Sequence, residues 1–266
     1  MATLDPMQQL LSDLVAEQDY LDQALSVVPV DVWEHPSPAD GWLLRDCIAH
    51  LADVDENAAY VATHKEYPKK SATTEPSQPP TDMLQSQRQR EARNLSIDEL
   101  VAWWRDARTR QNTALKALDA KDRLPWAGPP MSVRSFATAR LMECWSHGLD
   151  ALDAAEIAPV DSDRLIHVAH LGVITRNFAY LNRDLDVPDT PIYVELIAPS
   201  GESWEWGPED APDHIKGTAG DFCRVVTQRI HYTDTNLEAT GELASEFLSI
   251  AQAFAGPPGP GREPNT

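Results

Sequence analysis

Cysteine is scarce in this chain of 266 residues, and the pattern rules out a disulfide framework. The three cysteines, Cys47, Cys144 and Cys223, are odd in number and far apart, with no Cys-x-x-Cys pair. This pattern fits a reducing compartment. The N-terminus lacks the basic and apolar regions of a signal peptide, and no apolar run approaches membrane-spanning length. The sequence therefore predicts a soluble, cytoplasmic protein with no membrane partner.

Positive charge is also in short supply. Lys and Arg together number 22 against 42 Asp and Glu, which gives a net charge of −20 and a pI near 4.6. Such a surface repels phosphate backbones, so we expect a small-molecule substrate and no nucleic-acid partner. With 42% hydrophobic residues the chain can bury a large core, as a monomer or a homodimer.

Several catalytic motifs are missing. The chain has no His-Glu-x-x-His, no nucleophile elbow, no phosphate-cradling glycine loop and no dinucleotide-binding fingerprint. Zincin proteolysis, serine hydrolysis, kinase chemistry and hydride transfer therefore have no support in the sequence.

Helical periodicity dominates the first part of the chain. A capping box at Ser96 and Glu99 marks one helix start, and prolines mark the interruptions. Short connections between long helices fit an up-and-down bundle. The predicted helices cover about 10–25, 42–64, 96–118, 133–155 and 162–182, with a long surface loop at 66–81 and a rigid turn at 125–130.

The pattern changes after Val187. Alternating residues at 191–197 and 203–206 around a Pro-Ser-Gly turn predict a hairpin. A strand near 214–217, a helix at 218–228, a strand near 237–240 and a helix at 242–254 complete an α+β unit. The fold class is thus mixed, α with α/β. We expect a helix bundle at 1–186, a small α+β domain at 187–255 and a disordered tail at 256–266.

Glu143 and His147 are the pair from which a function can be argued. At spacing i, i+4 they project from one face of a helix, and His50 from a facing helix can complete a three-ligand site with an open position. A helix apolar on most sides is buried, and buried charges must be paired or bound to metal. The alternative is a buried ion-pair ladder that also includes Arg140 and Asp150.

The other histidines and the nearby carboxylates leave further alternatives. A lone histidine such as His50 on an apolar stripe is more often a core residue than a ligand. Asp46 and Asp53 lie about one turn from it and could orient its imidazole, as Asp150 could for His147. Two further histidines, His167 and His170, could supply a ligand, bind substrate or pack against neighbouring helices.

Two segments resemble a known family. Residues 40–51, Asp-Gly-Trp-Leu-Leu-Arg-Asp-Cys-Ile-Ala-His-Leu, resemble the opening signature of the DinB-like metal-binding superfamily. Arg140-x-x-Glu-x-x-x-His-x-x-Asp150 resembles the second signature, as found in mycothiol-dependent maleylpyruvate isomerases. The region after residue 187, including 217–229, is similar to the sterol-carrier-like domain of those isomerases.

The resemblance implies a DinB-like bundle in which His50, Glu143 and His147 bind a divalent metal, with zinc as the usual ion. Histidine and carboxylate ligands also accept Ni²⁺ and Fe²⁺. The resemblance further implies that an arginine from the C-terminal domain, Arg229 or Arg224, closes the site.

The function we expect is a metal-dependent thiol transferase or isomerase that uses a mycothiol-like thiol cosubstrate. The thiol ionises on the metal and adds to an electrophilic carbon, while the arginine holds a carboxylate or enolate. The alternatives are a metal-dependent lyase or cyclase that needs no thiol, and a non-enzymatic protein that binds a small molecule or lipid.

Overall fold

A computed structural model of the protein describes residues 5–67, 86–126 and 128–265. Its contacts divide the chain into two compact units, Met1–Pro159 and Val160–Thr266. Most of the surface loop expected at 66–81, namely residues 68–81, lies outside the described residues.

The first unit is built from helices. Three of them, α1 (Pro6–Leu25), α2 (Leu44–His64) and α4 (Ile97–Lys116), follow the predicted spans closely, as does α5 (Val133–Ala154). The short helix α3 (Gln87–Ala92) was not predicted. The four long helices confirm the helical reading of this region.

Capping side chains fix where these helices begin. The Asp5 carboxylate accepts a hydrogen bond from Met7 N ahead of α1. The predicted capping box of α4 is confirmed, because Ser96 accepts from Glu99 N while the Glu99 carboxylate accepts from Ser96 N. Each such bond satisfies a backbone donor that has no partner inside the helix.

The long helices pack as a bundle. Helix α2 contacts both α4 and α5, and α1 contacts the same two helices. A short antiparallel pair, β1 (Arg123–Leu124) and β2 (Met131–Ser132), surrounds the predicted turn and leads into α5. The apolar stripes of the helices meet in one core, which includes Leu21, Leu44, Ile48, Leu51, Leu100, Trp104, Cys144 and Leu152.

The second unit combines helices with a sheet of order β4-β3-β5-β6. The predicted hairpin of β3 and β4 is confirmed, β5 lies parallel to β3, and β6 lies antiparallel to β5. The fold class, a helical region followed by a small sheet region, is confirmed. The elements are α6 (Leu165–Ile174), α7 (Arg176–Leu181), β3 (Ile192–Ile197), β4 (Ser203–Trp206), β5 (Asp213–Thr218), α8 (Ala219–Val226), β6 (Glu238–Thr240) and α9 (Glu242–Ile250).

The single helix predicted at 162–182 is wrong, because the chain breaks between α6 and α7. The hydroxyl of Thr175 donates to the carbonyls of Leu171 at 2.8 Å and Gly172 at 3.2 Å. A threonine that bonds back to the preceding turn competes with the helical ladder and bends the helix.

The same region also changes how the chain divides. Helix α6 packs on α8, and a β-carbon at Gly172 would lie 2.8 Å from Val226 and 3.0 Å from Phe222. Along the sequence, the division between the two compact units falls between Pro159 and Val160, whereas we expect the domain boundary between 186 and 187. The division into independent domains stays a prediction.

The C-terminal tail has no helix or strand between 256 and 265, but it makes specific contacts. Arg183 donates to the carbonyl of Gly259 at 3.1 Å, and Asn265 N donates to the Asp234 carboxylate at 2.9 Å. The disorder expected for 256–266 stays a prediction. Within the described ranges, no helix is both long and apolar enough to cross a membrane.

Candidate metal centre

Two long helices carry the side chains of the candidate centre. Helix α2 is buried over its first turns, where Ile48 and Leu51 pack in the core, and His50 lies among them with 7% of its surface exposed. On α5, Glu143 and His147 stand one turn apart and keep 20% and 17% of their side-chain surface exposed. The cluster is therefore mostly buried but open to solvent on one side.

The three predicted ligand residues converge. His50 Nε2 lies 3.2 Å from Glu143 Oε2, and His147 Nε2 lies 3.6 Å from the same oxygen. One donor atom from each residue lies within 4.8 Å of the other two. In the described part of the chain, no second group of three such side chains has this geometry.

Trp42 covers the two imidazoles. Its ring stacks on His147 with centroids 5.3 Å apart and planes inclined by 21°, and its centroid lies 5.1 Å from that of His50. The tryptophan is itself buried. This packing restricts rotation of both imidazoles, so their donor atoms are held in place.

Each imidazole has a hydrogen-bond partner on its other nitrogen. The expected contact between Asp150 and His147 is present, because Asp150 Oδ2 lies 3.2 Å from His147 Nδ1. On the other side, Gln89 Nε2 lies 2.9 Å from His50 Nδ1. Gln89 is fully buried on α3, and it was missed by the sequence analysis.

The two carboxylates expected to orient His50 have other partners. Asp46 accepts from Leu43 N at the start of α2 and forms an ion pair with Arg93 at 2.7 Å. Asp53 forms an ion pair with Arg88 at 3.0 Å. The sequence spacing places both carboxylates about one turn from His50, but they pair with arginines from residues 88–93. The residue of that segment that contacts His50 is Gln89.

Glu143 is held in its ionised form. Burial alone would raise its pKa, but the hydrogen bond with His50 and the charges of Arg140, His50 and His147 outweigh burial. The pKa of Glu143 is therefore well below its usual value. A carboxylate that stays ionised at every physiological pH is ready to bind a cation.

The ion-pair ladder that formed the alternative hypothesis is present along α5. Arg140 Nη2 lies 4.0 Å from Glu143 Oε1, and the contacts continue through His147 to Asp150. A ladder along one helix does not explain the position of His50. This residue lies on α2, and its Nε2 approaches the same Glu143 oxygen as the imidazole of His147.

The two candidate arginines lie in the second unit and have partners there. Arg224, in the last turn of α8, forms two hydrogen bonds to the Asp161 carboxylate at 2.7 and 2.9 Å. Arg229 donates to the carbonyl of Thr227 at 2.6 Å. Their role at the centre stays a prediction.

The remaining candidates make structural contacts. His170 Nδ1 accepts a hydrogen bond from Trp206 Nε1 at 3.2 Å. Cys47 and Cys144 are free and buried, and neither belongs to the group of three.

Comparison with known proteins gives a family match over the first unit. The family model described as mycothiol maleylpyruvate isomerase N-terminal domain matches residues 14–152. A second model, described as wyosine base formation, matches residues 188–240. The sterol-carrier-like character expected for that region stays a prediction.

Two proteins of Mycobacterium tuberculosis are similar over nearly their whole length. Uncharacterized protein MT0041 of strain CDC 1551 and uncharacterized protein Rv0036c of strain H37Rv are each 42% identical over 252 residues. The match covers 95% of this chain and 97% of each relative. Their names state no activity.

Two solved structures share the fold. The mycothiol-dependent maleylpyruvate isomerase superposes with a TM-score of 0.58 at 17% identity, and a histidine-to-alanine mutant superposes with the same TM-score at 15% identity. Each match covers 90% of this chain and 95% of the other chain.

Proposed function

Since the chain belongs to the family described as the mycothiol maleylpyruvate isomerase N-terminal domain, we propose that it is a metal-dependent enzyme of the thiol-dependent transferase or isomerase type. His50, Glu143 and His147 hold a divalent metal, with zinc as the expected ion. A mycothiol-like thiol is the cosubstrate, and the substrate is a small electrophile.

The observation that carries this proposal is the spacing of the three donor atoms. Zinc binds imidazole nitrogen and carboxylate oxygen at about 2.0–2.2 Å, so neighbouring ligands of a tetrahedral ion lie about 3.3 Å apart. The distances of 3.2 and 3.6 Å from Glu143 Oε2 to the two imidazole nitrogens are close to this spacing, and all three donor atoms lie within 4.8 Å of one another. Two imidazoles and one carboxylate leave a fourth position open for substrate.

The side chains of this site have separable roles. The ionised Glu143 supplies the negative charge, while Gln89 and Asp150 hold the imidazoles of His50 and His147 in orientation. A divalent metal bound there supplies a Lewis acid that lowers the pKa of a coordinated thiol. Arg224 or Arg229 remains the proposed arginine that closes the site.

Metal content tests the proposal first. Protein purified without an affinity tag should contain about one equivalent of divalent metal by elemental analysis, and His147→Ala should contain almost none. His64→Ala is the matched control, because His64 also lies on a bundle helix but is exposed, and its imidazole contacts the carbonyl and the ring of Tyr60. Equal metal content in the wild type and in His147→Ala would remove the basis of the proposal.

Thiol dependence tests the type of reaction. The metal-loaded protein should convert maleylpyruvate or another conjugated electrophile only when mycothiol is added. Turnover without thiol would favour a lyase or cyclase, and a metal-free protein of undiminished stability that binds ligand without turnover would favour a binding protein. Full activity of metal-stripped His147→Ala would contradict the mechanism.

A further inference from the structure

A further carboxylate is buried in the helix bundle, outside the group of three candidate ligands. Asp55 lies on α2, five residues after His50, and only 3% of its surface is exposed. Its Oδ2 is buried without a hydrogen-bond partner among the described residues. Burial raises the pKa of Asp55 to about 7, against the opposing charge of Arg140. A carboxyl in such a place ionises readily only when a cation pairs with it.

Arg140 on α5 is the cation that acts most strongly on Asp55. Its charge lowers the pKa of Asp55 more than the indole N–H of Trp104 or the charge of Arg108, both on α4. Arg108 already forms ion pairs at 2.6 and 3.0 Å with two aspartates of α1. The charge of Glu143, on α5, raises the pKa of Asp55. Of the two guanidinium groups that act on Asp55, Arg140 is therefore the one available to pair with it.

Arg140 has donors to spare. Its side chain is 16% exposed, and its Nη2 lies 4.0 Å from Glu143 Oε1, which is too far for a hydrogen bond. Its Nε is buried without a partner in the described part of the chain. The guanidinium lies over the ring of Phe136, with 5.8 Å between its carbon and the ring centroid. Arg140 thus acts through its charge on two carboxylates, Asp55 and Glu143, and donates to neither.

A divalent cation at the candidate centre would change the charge balance around Arg140. One carboxylate and two neutral imidazoles neutralise only half of the charge of such an ion. Glu143, as a ligand, would then no longer balance the guanidinium one turn before it on α5. Buried charges must be paired, so Arg140 would need a second carboxylate. Asp55 is the carboxyl that is buried, lacks a partner on Oδ2 and already responds to the charge of Arg140.

We propose that Asp55 supplies the counter-charge of the metal centre. When a divalent cation binds to the three ligand side chains, the guanidinium of Arg140 turns from Glu143 to the Asp55 carboxylate. The carboxyl releases its proton to solvent in this step. The proposal rests on the proposed function and deepens it, because it names a group outside the ligand set that balances the charge of the metal. Asp55 acts through Arg140, so it is a positioning residue.

A double-mutant cycle on zinc affinity tests the pairing of Asp55 with Arg140. Zinc affinity is measured at pH 7 by competition with a chromophoric chelator. Asp55→Asn should weaken zinc binding by about 10- to 100-fold, because Arg140 loses a charged hydrogen-bonded partner beside the metal. In the Arg140→Gln background the same substitution should change the affinity by less than about twofold, because no guanidinium is left to pair.

Two further variants keep the cycle decisive. Arg140→Lys retains the positive charge, so the loss caused by Asp55→Asn should persist in that background even if Arg140→Gln folds poorly. Asp53→Asn is the matched control, because Asp53 is 4% exposed on the same helix but pairs with Arg88 at 3.0 Å. Its effect on zinc affinity should be the same with and without the guanidinium of Arg140.

Proton release gives a readout that a purely structural role of Asp55 would not change. Calorimetric titration with zinc in two buffers of different ionisation enthalpy gives the number of protons released on binding. At pH 6 a carboxyl with a pKa of about 7 is protonated in roughly 90% of the metal-free molecules. The wild type should therefore release nearly one proton more than Asp55→Asn. At pH 8 this difference should almost vanish, because the carboxyl is already ionised before zinc binds.

The possible failures of the two proposals differ. An equal effect of Asp55→Asn in the wild-type and Arg140→Gln backgrounds would overturn the pairing, as would equal proton release by the wild type and Asp55→Asn at pH 6. Zinc would still bind in both cases, so the three-ligand site would stand. A wild type that binds no zinc contradicts the proposed function itself, and the counter-charge with it.

Discussion

Gln89 offers the sharpest test of how the centre is organised. A histidine that binds metal through Nε2 carries its proton on Nδ1, and that proton needs an acceptor. The side-chain amide of Gln89 lies beside this nitrogen, with Nε2 at 2.9 Å from His50 Nδ1, and its oxygen accepts from Ser86 N at 3.3 Å. With a metal on His50 Nε2, we expect the amide oxygen of Gln89 to face Nδ1 and accept its proton.

The replacement Gln89→Leu keeps the volume and removes the acceptor. Partners of metal-bound histidines contribute about 10- to 100-fold in metal affinity. Gln89 is a neutral amide that makes one hydrogen bond to His50, so we expect the lower end, about tenfold or ~1.4 kcal/mol. Gln89→Glu presents an oxygen in either orientation and keeps the acceptor for Ser86 N, so it should bind zinc at least as tightly as the wild type.

Zinc affinity measured by competition with a chromophoric chelator, at one fixed pH, checks both values. Gln87→Leu is the control, because Gln87 lies on the same short helix, is exposed, and donates to the exposed Glu91. Far-UV circular dichroism shows whether the variants are folded. If Gln89→Leu binds zinc as tightly as the wild type, or if Gln89→Glu binds no tighter than Gln89→Leu, the reasoning about the imidazole proton is wrong.

Three further predictions concern the carboxylates and a glycine. Asp150→Asn removes the carboxylate at His147 Nδ1 and should weaken zinc binding by up to about 100-fold, more than the loss of the amide of Gln89, in the same competition assay. Burial raises the pKa of Asp55 from 3.8 to about 7, so between these pH values the folded state binds more protons than the unfolded state. The free energy of unfolding should therefore fall by up to roughly 4 kcal/mol as pH rises from 4 to 7. Urea denaturation at pH 5 and pH 8 should show this fall in the wild type, and Asp55→Asn should reduce it; an unchanged pH dependence would contradict the assignment. Gly241→Ala should lower the free energy of unfolding by about 1–3 kcal/mol, because φ at this position is +94°. The new β-carbon would also collide with the Asp213 carboxylate oxygen that accepts a hydrogen bond from Leu243 N in the first turn of α9. An unchanged melting temperature would contradict this prediction.

The features that the sequence predicted well are local ones. The pair Glu143 and His147 depends on helical spacing alone, and the capping box of Ser96 depends on four consecutive residues. His50 required a second step, since periodicity places it on a buried face but does not choose its neighbour. The resemblance in the two signature segments supplied that choice.

The features that were missed depend on contacts between distant segments. Gln89 lies on a helix of six residues, which is too short to show periodicity, and it reaches a histidine 39 positions earlier. The helix break at Thr175 coincides with a hydrogen bond from its hydroxyl to the carbonyl of Leu171, four residues earlier. The sequence around it contains no proline that would predict a break.

The position of the three donors on two helices has a consequence for how the chain unfolds. His50 and Glu143 are separated by 93 positions, so an ion bound to both would act as a clip that closes a long loop. A cross-link of this kind lowers the conformational entropy of the unfolded chain, and the effect grows with the length of the loop that it closes. Loading with metal should therefore slow the separation of α2 from α5 under denaturant, and chelation should release that restraint without altering either helix on its own.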